Sequence, residues 1–305
     1  MRTVFHADDY AAYCHCPRKA FLLVSGALAG NPHEYVQAVA AAASENASSY
    51  LAALAAATSA AGRPVAEDIR SGADVIVRPT IQFRDLAASP DALLATASNA
   101  SRKGAHYEAV LVAGTRRVEA EHKDRLNYVG YVLTQLQESP PARGFVIAAD
   151  GVHHSVKLGA THRAVESAIA TLRNWTSQPN SVEPEPRMVL NAHCPYCAFR
   201  DQCEEQARQG DDLSLLDRIT PKMLRRYHKK GIFTINQLSY VFRARRSRKS
   251  PRGKAAVFSV ELQALAIRTG KIYLQQVLAI KRNRVEIFLD VEAFQTKGRT
   301  ISSAP

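Results

Sequence analysis

The sequence predicts an α/β fold with at least two domains, and three observations support this. A chain of 305 residues, 46% of them hydrophobic, can bury more than one core and is not disordered throughout. Short segments rich in branched side chains, bounded by Gly, Pro or polar clusters, predict strands at 73–83, 107–112 and 144–149. Between and after them, 119–138 and 161–175 have the composition and apolar spacing of helices.

The remaining elements follow from local signals. A long helix is predicted over 38–61, where 13 of 24 positions are alanine, and it should end at the Gly-Arg-Pro run that starts at Gly62. The helix at 161–175 has apolar residues on one face, namely Val165, Ala168, Ile169 and Leu172. Two prolines in 180–187 predict a connector. A helix at 255–274 and a strand at 285–291 are predicted near the carboxyl end.

The chain lacks the sequence signals of a membrane or secreted protein. No apolar run approaches the roughly 20 residues that span a bilayer. The first residues, 1–13, contain acids and aromatics where a signal peptide has an apolar stretch. We therefore expect a soluble, cytoplasmic protein with no membrane partner.

The positive charge is concentrated in one segment. The chain has 40 Lys and Arg and 28 Asp and Glu, a net charge of +12. Between Arg218 and Lys254 there are 13 basic residues and no acidic one, so the rest of the chain has 27 basic and 28 acidic residues. A localised positive segment predicts a surface that binds a polyanion.

A separate helical unit is predicted from Asp211 onward. Residues 213–239 read as an apolar helix start, a Thr-Pro turn, a basic helix, and a further helix opened by Gly231, the pattern of a helix-hairpin-helix element. Such an element contacts phosphates through backbone amides at a helix start and through nearby cations, here Lys222, Arg225, Arg226, Lys229 and Lys230. The basic run 243–254, with Arg245 and Arg246, predicts a loop that contacts phosphate nonspecifically. The alternative is a helical spacer whose charges are only solvated.

Five cysteines flank a long cysteine-free stretch: Cys14 and Cys16, then Cys194, Cys197 and Cys203. An odd number in a chain without a secretory signal argues against disulfides. The trio has the close spacing of metal ligands, and Cys16 can join it only if the fold returns the amino terminus to residues near 200. There are two alternatives. One is a zinc site that uses His193, and the other is a set of buried thiols that bind no metal.

These residues resemble the RecB-like nucleases of the PD-(D/E)xK superfamily that carry an iron-sulfur cluster and a carboxy-terminal ribonuclease-H-like exonuclease domain. The amino-terminal Tyr-x2-Cys-Pro-Arg-Lys motif at 13–19 and the distant cysteine trio are similar to the split four-cysteine site of CRISPR-associated iron-sulfur exonucleases and AddB-type helicase-nucleases. The segments 219–224, 230–234 and 261–273 are similar to this family's linker. The resemblance spans nearly the whole chain and is patchy from 35 to 190.

The resemblance implies a restriction-endonuclease-like mixed-sheet nuclease domain over 1–207. It implies a basic helix-hairpin-helix-like region over 211–275 and the truncated start of a ribonuclease-H-like domain over 276–305. It also implies a [4Fe-4S] cluster, with Cys14 as a spare thiol and with ligands Cys16, Cys194, Cys197 and Cys203. The implied partner is DNA, single- or double-stranded, and the sequence does not identify any helicase or other DNA-repair partner.

The resemblance also implies Mg²⁺ or Mn²⁺ for hydrolysis, but the metal motif is incomplete. Asp91 stands at the position of the family's first metal-binding Asp, and Glu108 lies on the segment that matches the next metal-binding strand, with Glu34 a further candidate. The acid and Lys expected just after Glu108 align with Leu111 and Ala113, which cannot bind a metal or assist proton transfer. The expected Gln of the following helix aligns with Arg125 or Asn127. The run 121–123 (Glu-His-Lys) has acid-x-Lys spacing but is interpreted as a solvated helix face.

A further acidic pair, Asp290 and Glu292, resembles the first motif of ribonuclease-H-like exonucleases, whose carboxylates bind two metal ions. No Asp or Glu follows it in 293–305, so we do not expect this chain to complete that centre by itself. The expected function is that of a RecB-like DNA nuclease whose hydrolysis is weakened or lost. The alternatives are a non-catalytic nucleic-acid-binding relative and, less expected, a zinc-containing RNA-binding protein.

Overall fold

The computed structural model describes residues 4–57, 73–96, 106–177, 185–243, 258–273, 293–296 and 299–302. Contacts divide the chain into two units, the first formed by 1–188 and 192–201 and the second by 189–191 and 202–305. The predicted α/β class is confirmed, because the chain contains a mixed five-stranded sheet together with α-helices.

A mixed sheet forms the centre of the first unit. Its strands are β1 (Val75–Val77), β4 (Ala92–Thr96), β5 (His106–Val112), β6 (Arg143–Ile147) and β7 (His153–Lys157). They lie in the order β1-β4-β5-β6-β7, and only the β5-β6 pair is parallel among these neighbours. A separate hairpin pairs β2 (Ile81–Phe83) with β3 (Leu86–Ala88).

Helices cover both faces of this sheet. They are α1 (Ala7–His15), α2 (Pro17–Ser25), α3 (Glu34–Ala57), α4 (Ala120–Gln137) and α5 (His162–Ser177). Helix α4 connects β5 to its parallel neighbour β6, as a parallel pair requires a crossover. A short 3₁₀ turn (Cys194–Tyr196) and helix α6 (Arg200–Gln209) follow.

Alternation along the strands divides the core between two faces. Tyr107 and Ala109 of β5 pack in the larger cluster with α1, α4 and α5, which includes Leu126 and Leu172. Val110 and Val112 pack on the opposite face with Ala47 and Leu51 of α3 and with Ile147 of β6. Successive side chains of a strand point to opposite faces, so β5 contributes to both cores.

Most predicted elements of the first unit agree with the structure to within a few residues, and one does not. The segment 73–83 was predicted as one strand, but it forms β1 and β2 in different sheets. The break falls at Arg78, whose φ of 47° is in the left-handed region, and at Pro79, which has no amide for a sheet. The short strands β3, β4 and β7 and helices α1 and α2 were not predicted.

The second unit contains a small helical core. A 3₁₀ turn (Leu213–Leu215) precedes α7 (Pro221–His228), α8 (Ile235–Ser239) and α9 (Val260–Thr269). Buried side chains from all four elements form one cluster, which includes Leu213, Leu224, Leu238 and Ala264. A hairpin of β8 (Ala293–Thr296) and β9 (Arg299–Ser302) is also present.

The helical predictions for this unit are correct in kind but shifted in position. The second helix of the hairpin begins at Ile235, after the N-cap Thr234, and the helix predicted at 255–274 spans 260–269. The strand predicted at 285–291 and most of the basic run 243–254 lie outside the described residues. Within the described ranges, the helices are all too short or too polar to cross a bilayer.

Candidate functional site

A cavity of about 1070 Å³ lies in the first unit, where the start of β4 meets the end of β5. Its walls come from the start of α1, from α3, from the ends of these two strands, from the start of α4 and from the segment 192–196. Charged and titratable side chains line it, among them Asp8, Arg78, Asp91, Glu121, His122 and Arg125.

Asp91 is fixed against the end of β5. Its Oδ2 accepts a hydrogen bond of 2.7 Å from the Val112 amide, and its own amide donates to the Val110 carbonyl at 2.9 Å. Burial raises the pKa of the Asp91 carboxyl, and the positive charges of Arg78 and Arg125 oppose that rise. Asp91, the predicted metal ligand in this wall of the cavity, is therefore held in place by the backbone of β5.

The residues next to Asp91 do not supply further ligands. Leu111 lines the cavity beside Asp91, and Ala113 is 1% exposed. In the part of the chain that the structure describes, no three His, Cys, Asp or Glu side chains are grouped to hold a metal ion. Leu111 and Ala113 therefore add no ligand to Asp91, whereas Mg²⁺ and Mn²⁺ prefer several oxygen ligands.

Arg125 neutralises two other carboxylates of the cavity. It lies 2.9 Å from Asp8 through Nε and 2.9 Å from Glu121 through a terminal guanidinium nitrogen. The neighbouring His122 accepts a hydrogen bond from the Glu119 amide, and burial lowers the pKa of its imidazole. Cations that bind carboxylates leave them less able to bind a metal ion.

The interpretation of 121–123 as a solvated face is wrong for its first two residues. Glu121 and His122 line the cavity with Asp91, whereas Lys123 is exposed. The Glu-x3-Arg spacing of Glu121 and Arg125 is a sequence signal that could have indicated this pair. Asn127, the alternative match to the family's Gln, is 8% exposed.

The structure does not bring Glu108 together with Asp91. Glu108 pairs in register with Leu94, on the face of the sheet that packs against α3. Both of its carboxylate oxygens lie 3.2 Å from Nε of Arg143 on β6. Glu108 therefore has the surroundings of a structural ion pair, and Glu34, at the start of α3, is exposed.

Cys16 lies at the junction of α1 and α2, ending the first helix and capping the second. The Lys19 amide donates a hydrogen bond to its Sγ, with 3.4 Å between the two atoms. Hydrogen bonds to the sulfur ligands are a regular feature of iron-sulfur sites. This local position suits a metal-binding sulfur.

The first unit also brings this segment against the start of the cysteine trio. Lys19 Nζ lies 3.2 Å from Nε2 of His193, although 174 residues separate them in sequence. The rings of His15 and His193 stack with their centres 5.4 Å apart. His193 directly precedes Cys194, so the two cysteine-bearing segments meet, as a shared site requires.

The other sulfurs lie on local structure suited to ligation. The Cys197 amide donates to the Cys194 carbonyl at 3.0 Å, which closes a tight turn, and Cys203 lies in the first turn of α6. All five thiols are within the described residues, and none forms a disulfide there. Thiolates are the usual ligands of iron-sulfur clusters, so the donor set fits a cluster. The cysteines do not already form a closed metal site, since no three His, Cys, Asp or Glu side chains of the described residues are grouped to hold a metal ion.

The predicted phosphate-binding cations of the second unit lie on and just after α7. Lys222, Arg225, Lys229 and Lys230 are exposed. Arg226 is exposed as well, and it lies over the ring of Tyr227 at 5.1 Å and 3.9 Å from Glu261 of α9. Arg245, Arg246, Asp290 and Glu292 lie outside the described residues.

The backbone amides of the hairpin already have acceptors within the protein. The Phe233 and Thr234 amides donate to Oε1 of Gln237 at 2.7 and 3.2 Å. The Asn236 amide donates at 2.8 Å to the Asp211 carboxylate. A carboxylate at the start of α8 also repels phosphate, so contact with phosphate falls to the side chains.

Comparison with known proteins adds no relative. No family model matches the chain, and no curated protein matches its sequence.

Proposed function

We propose that this chain is a nucleic-acid-binding relative of the RecB-like nucleases in which metal-dependent hydrolysis is weakened or lost. The observation that carries this proposal is the 2.7 Å hydrogen bond from the Val112 amide to Asp91. It sets Asp91 at the end of β5, beside the two positions at which the resemblance implies an acid and a Lys. Those positions are Leu111 and Ala113, whose side chains have no metal-binding or acid-base group.

The sheet is compatible with the restriction-endonuclease-like fold that the resemblance implies. Such a fold has a mixed sheet, and β5 here has an antiparallel neighbour on one side and a parallel neighbour on the other. The proposal gives Asp91 and the cavity the place of the nuclease centre in this fold. A fold alone does not determine function, so the proposal depends on the residues of this centre.

We extend the proposal to a [4Fe-4S] cluster on Cys16, Cys194, Cys197 and Cys203. The contact between Lys19 and His193 supports it, because it joins the segments that carry the first and second of these cysteines. When bound, the cluster would staple the amino-terminal helices to the segment near residue 194. Zinc bound to the same thiols, with His193 nearby, is the competing reading.

DNA is the proposed partner, and exposed cations of the second unit would contact its phosphates. Lys222, Arg225, Lys229 and Lys230 lie within one short helix and its end. Each phosphate contact that a cation makes releases counterions, so binding should weaken steeply with salt. Retained hydrolysis is the second candidate function, since Asp91, Glu121 and His122 share one cavity.

The test combines binding and cleavage in one preparation of the full chain. Fluorescence anisotropy with labelled DNA over a salt series should give binding with a steep salt slope. The double variant Arg225→Gln, Lys229→Gln should flatten that slope by about 2, and Arg226→Gln should change it less, because Arg226 is paired with Glu261.

Cleavage separates the two candidate functions. With Mg²⁺ or Mn²⁺ present, we expect bound DNA to remain intact in both single- and double-stranded form. Cleavage that Asp91→Ala abolishes would establish retained hydrolysis. Absence of DNA binding would remove the proposed function itself.

A further inference from the structure

Two exposed aromatic rings of the second unit each carry an arginine on one face. Tyr240, directly after α8, is 69% exposed, and Cζ of Arg268 lies 4.2 Å from the centre of its ring. Phe258, just before α9, is 41% exposed, and Cζ of Arg218 lies 4.9 Å from its ring centre. The core of the unit is built from other side chains. A guanidinium therefore lies over each ring, and a large part of each aromatic side chain remains exposed.

Helix α9 relates these rings to the cations of α7. At its start, Glu261 accepts a hydrogen bond of 2.6 Å from the hydroxyl of Tyr227 and lies near Arg226. Arg268 follows Glu261 by seven residues, or about two turns, so both lie on one side of α9. The rise of a helix puts them about 10 Å apart along the axis. Phe258 precedes the first turn of α9, at the α7 end.

Further cations lie on α7 and directly after it. Lys222 lies one turn before Arg226 on this helix, and Lys229 and Lys230 follow directly after the helix ends at His228. A row of cations therefore approaches one end of α9, and the ring of Tyr240 stands near the other end. Over about 10 Å, a stacked strand with one phosphate per roughly 3.4 Å presents about three nucleotides.

We propose that this face of the second unit binds a single-stranded polynucleotide, with bases stacked on Tyr240 and Phe258 and phosphates against the arginines and the α7 cations. The inference rests on the proposed function and names the form of nucleic acid. Single strands expose the faces of their bases, and proteins bind them with aromatic platforms beside cations. A duplex keeps its bases stacked inside and offers these rings no flat partner. The amides of the hairpin are occupied, so recognition depends on side chains.

The experiment measures anisotropy of the full chain with labelled oligothymidylate, oligouridylate, an abasic oligomer of the same length, and an oligothymidylate-oligoadenylate duplex. We expect the single strands to bind most tightly, with the abasic oligomer and the duplex weaker. Tyr240→Ala removes the stacking partner of one base, so its Kd for oligothymidylate should exceed that of the wild type by about 5-fold to about 150-fold. Tyr240→Phe should bind as the wild type does, because it keeps the ring.

Matched controls separate stacking from charge. Val241→Ala removes an exposed apolar side chain next to Tyr240 and should leave the Kd unchanged. Tyr240→Ala should keep the salt slope of the wild type, whereas Arg268→Gln should flatten it by about 0.7. For the abasic oligomer, Tyr240→Ala and the wild type should bind equally.

The outcomes distinguish this inference from the proposed function. Equal affinity of the wild type for strand and duplex, or unchanged binding of oligothymidylate by Tyr240→Ala, overturns the stacking proposal while DNA binding stands. No binding of any of the four probes overturns both. A preference for oligouridylate over oligothymidylate identifies RNA as the source of the strand and supports the stacking proposal.

Discussion

Asp91→Asn is expected to stabilise the first unit at neutral pH. Burial raises the pKa of the Asp91 carboxyl above its ordinary 3.8, so the folded protein favours the neutral form. The contribution of this group to stability is complete below the unfolded pKa and is lost as the pH rises through the folded pKa. Asparagine is neutral at every pH, and its Oδ1 can still accept the hydrogen bond from Val112.

Asp91→Ala gives the magnitude of the structural role. It removes the acceptor of the Val112 amide, and Val112 is only 9% exposed. A buried donor left without an acceptor lowers the free energy of unfolding by about 1–3 kcal/mol. For a unit of this size each kcal/mol lowers the Tm by about 2–4 °C, so we expect a loss of about 2–12 °C. At neutral pH the order of Tm should therefore be Asn above Asp above Ala.

Thermal unfolding of the three proteins, over a pH series and with or without Mn²⁺, checks this reasoning. The advantage of asparagine should shrink as the pH falls toward 3.8. A metal bound through Asp91 would raise the Tm of the wild type by mass action. An Asn variant less stable than the wild type at neutral pH, or a rise in Tm with Mn²⁺ that this variant loses, would refute the reasoning.

Three further substitutions test the fold around the site. Glu108→Gln should leave DNA binding unchanged and lower the free energy of unfolding by about 1 kcal/mol, because it weakens the ion pair between buried Glu108 and half-exposed Arg143. A change in DNA binding would return Glu108 to the site. Tyr128→Phe should lower the free energy of unfolding by about 1–3 kcal/mol in denaturant unfolding, since the hydroxyl donates to the Phe5 carbonyl at 2.6 Å; an unchanged midpoint would contradict this bond. Gly114→Ala should lower the Tm, because an added Cβ would overlap the Val39 carbonyl oxygen of α3. An unchanged Tm would show that α3 shifts freely.

The sequence predicts the long or strongly patterned elements and misses the short ones. Helix α5 has a regular apolar face, and β5 and β6 are rich in branched residues, so both kinds of element were predicted. The edge strand β7 (His153–Lys157) is mostly polar and has no apolar alternation to mark it. The break at Arg78 depends on one left-handed residue, which a run of branched residues does not reveal.

The site was predictable where it depends on residue identity and not where it depends on position. The replacement of the expected acid and Lys by Leu111 and Ala113 can be read directly from the sequence. The separation of Glu108 from Asp91 depends on strand register, and the inward position of Glu121 depends on how α4 packs. The occupied amides of the hairpin depend on Asp211, which lies 25 residues before Asn236.

The amount of iron and labile sulfide in protein prepared without oxygen tests the central claim most directly. We predict stoichiometric iron and sulfide with broad visible absorption, lost in Cys16→Ser and retained in Cys14→Ser, whose thiol is exposed. Zinc in place of iron, or a cluster that Cys16→Ser leaves intact, would contradict the claim that Cys16 and the later cysteine trio hold one iron-sulfur cluster.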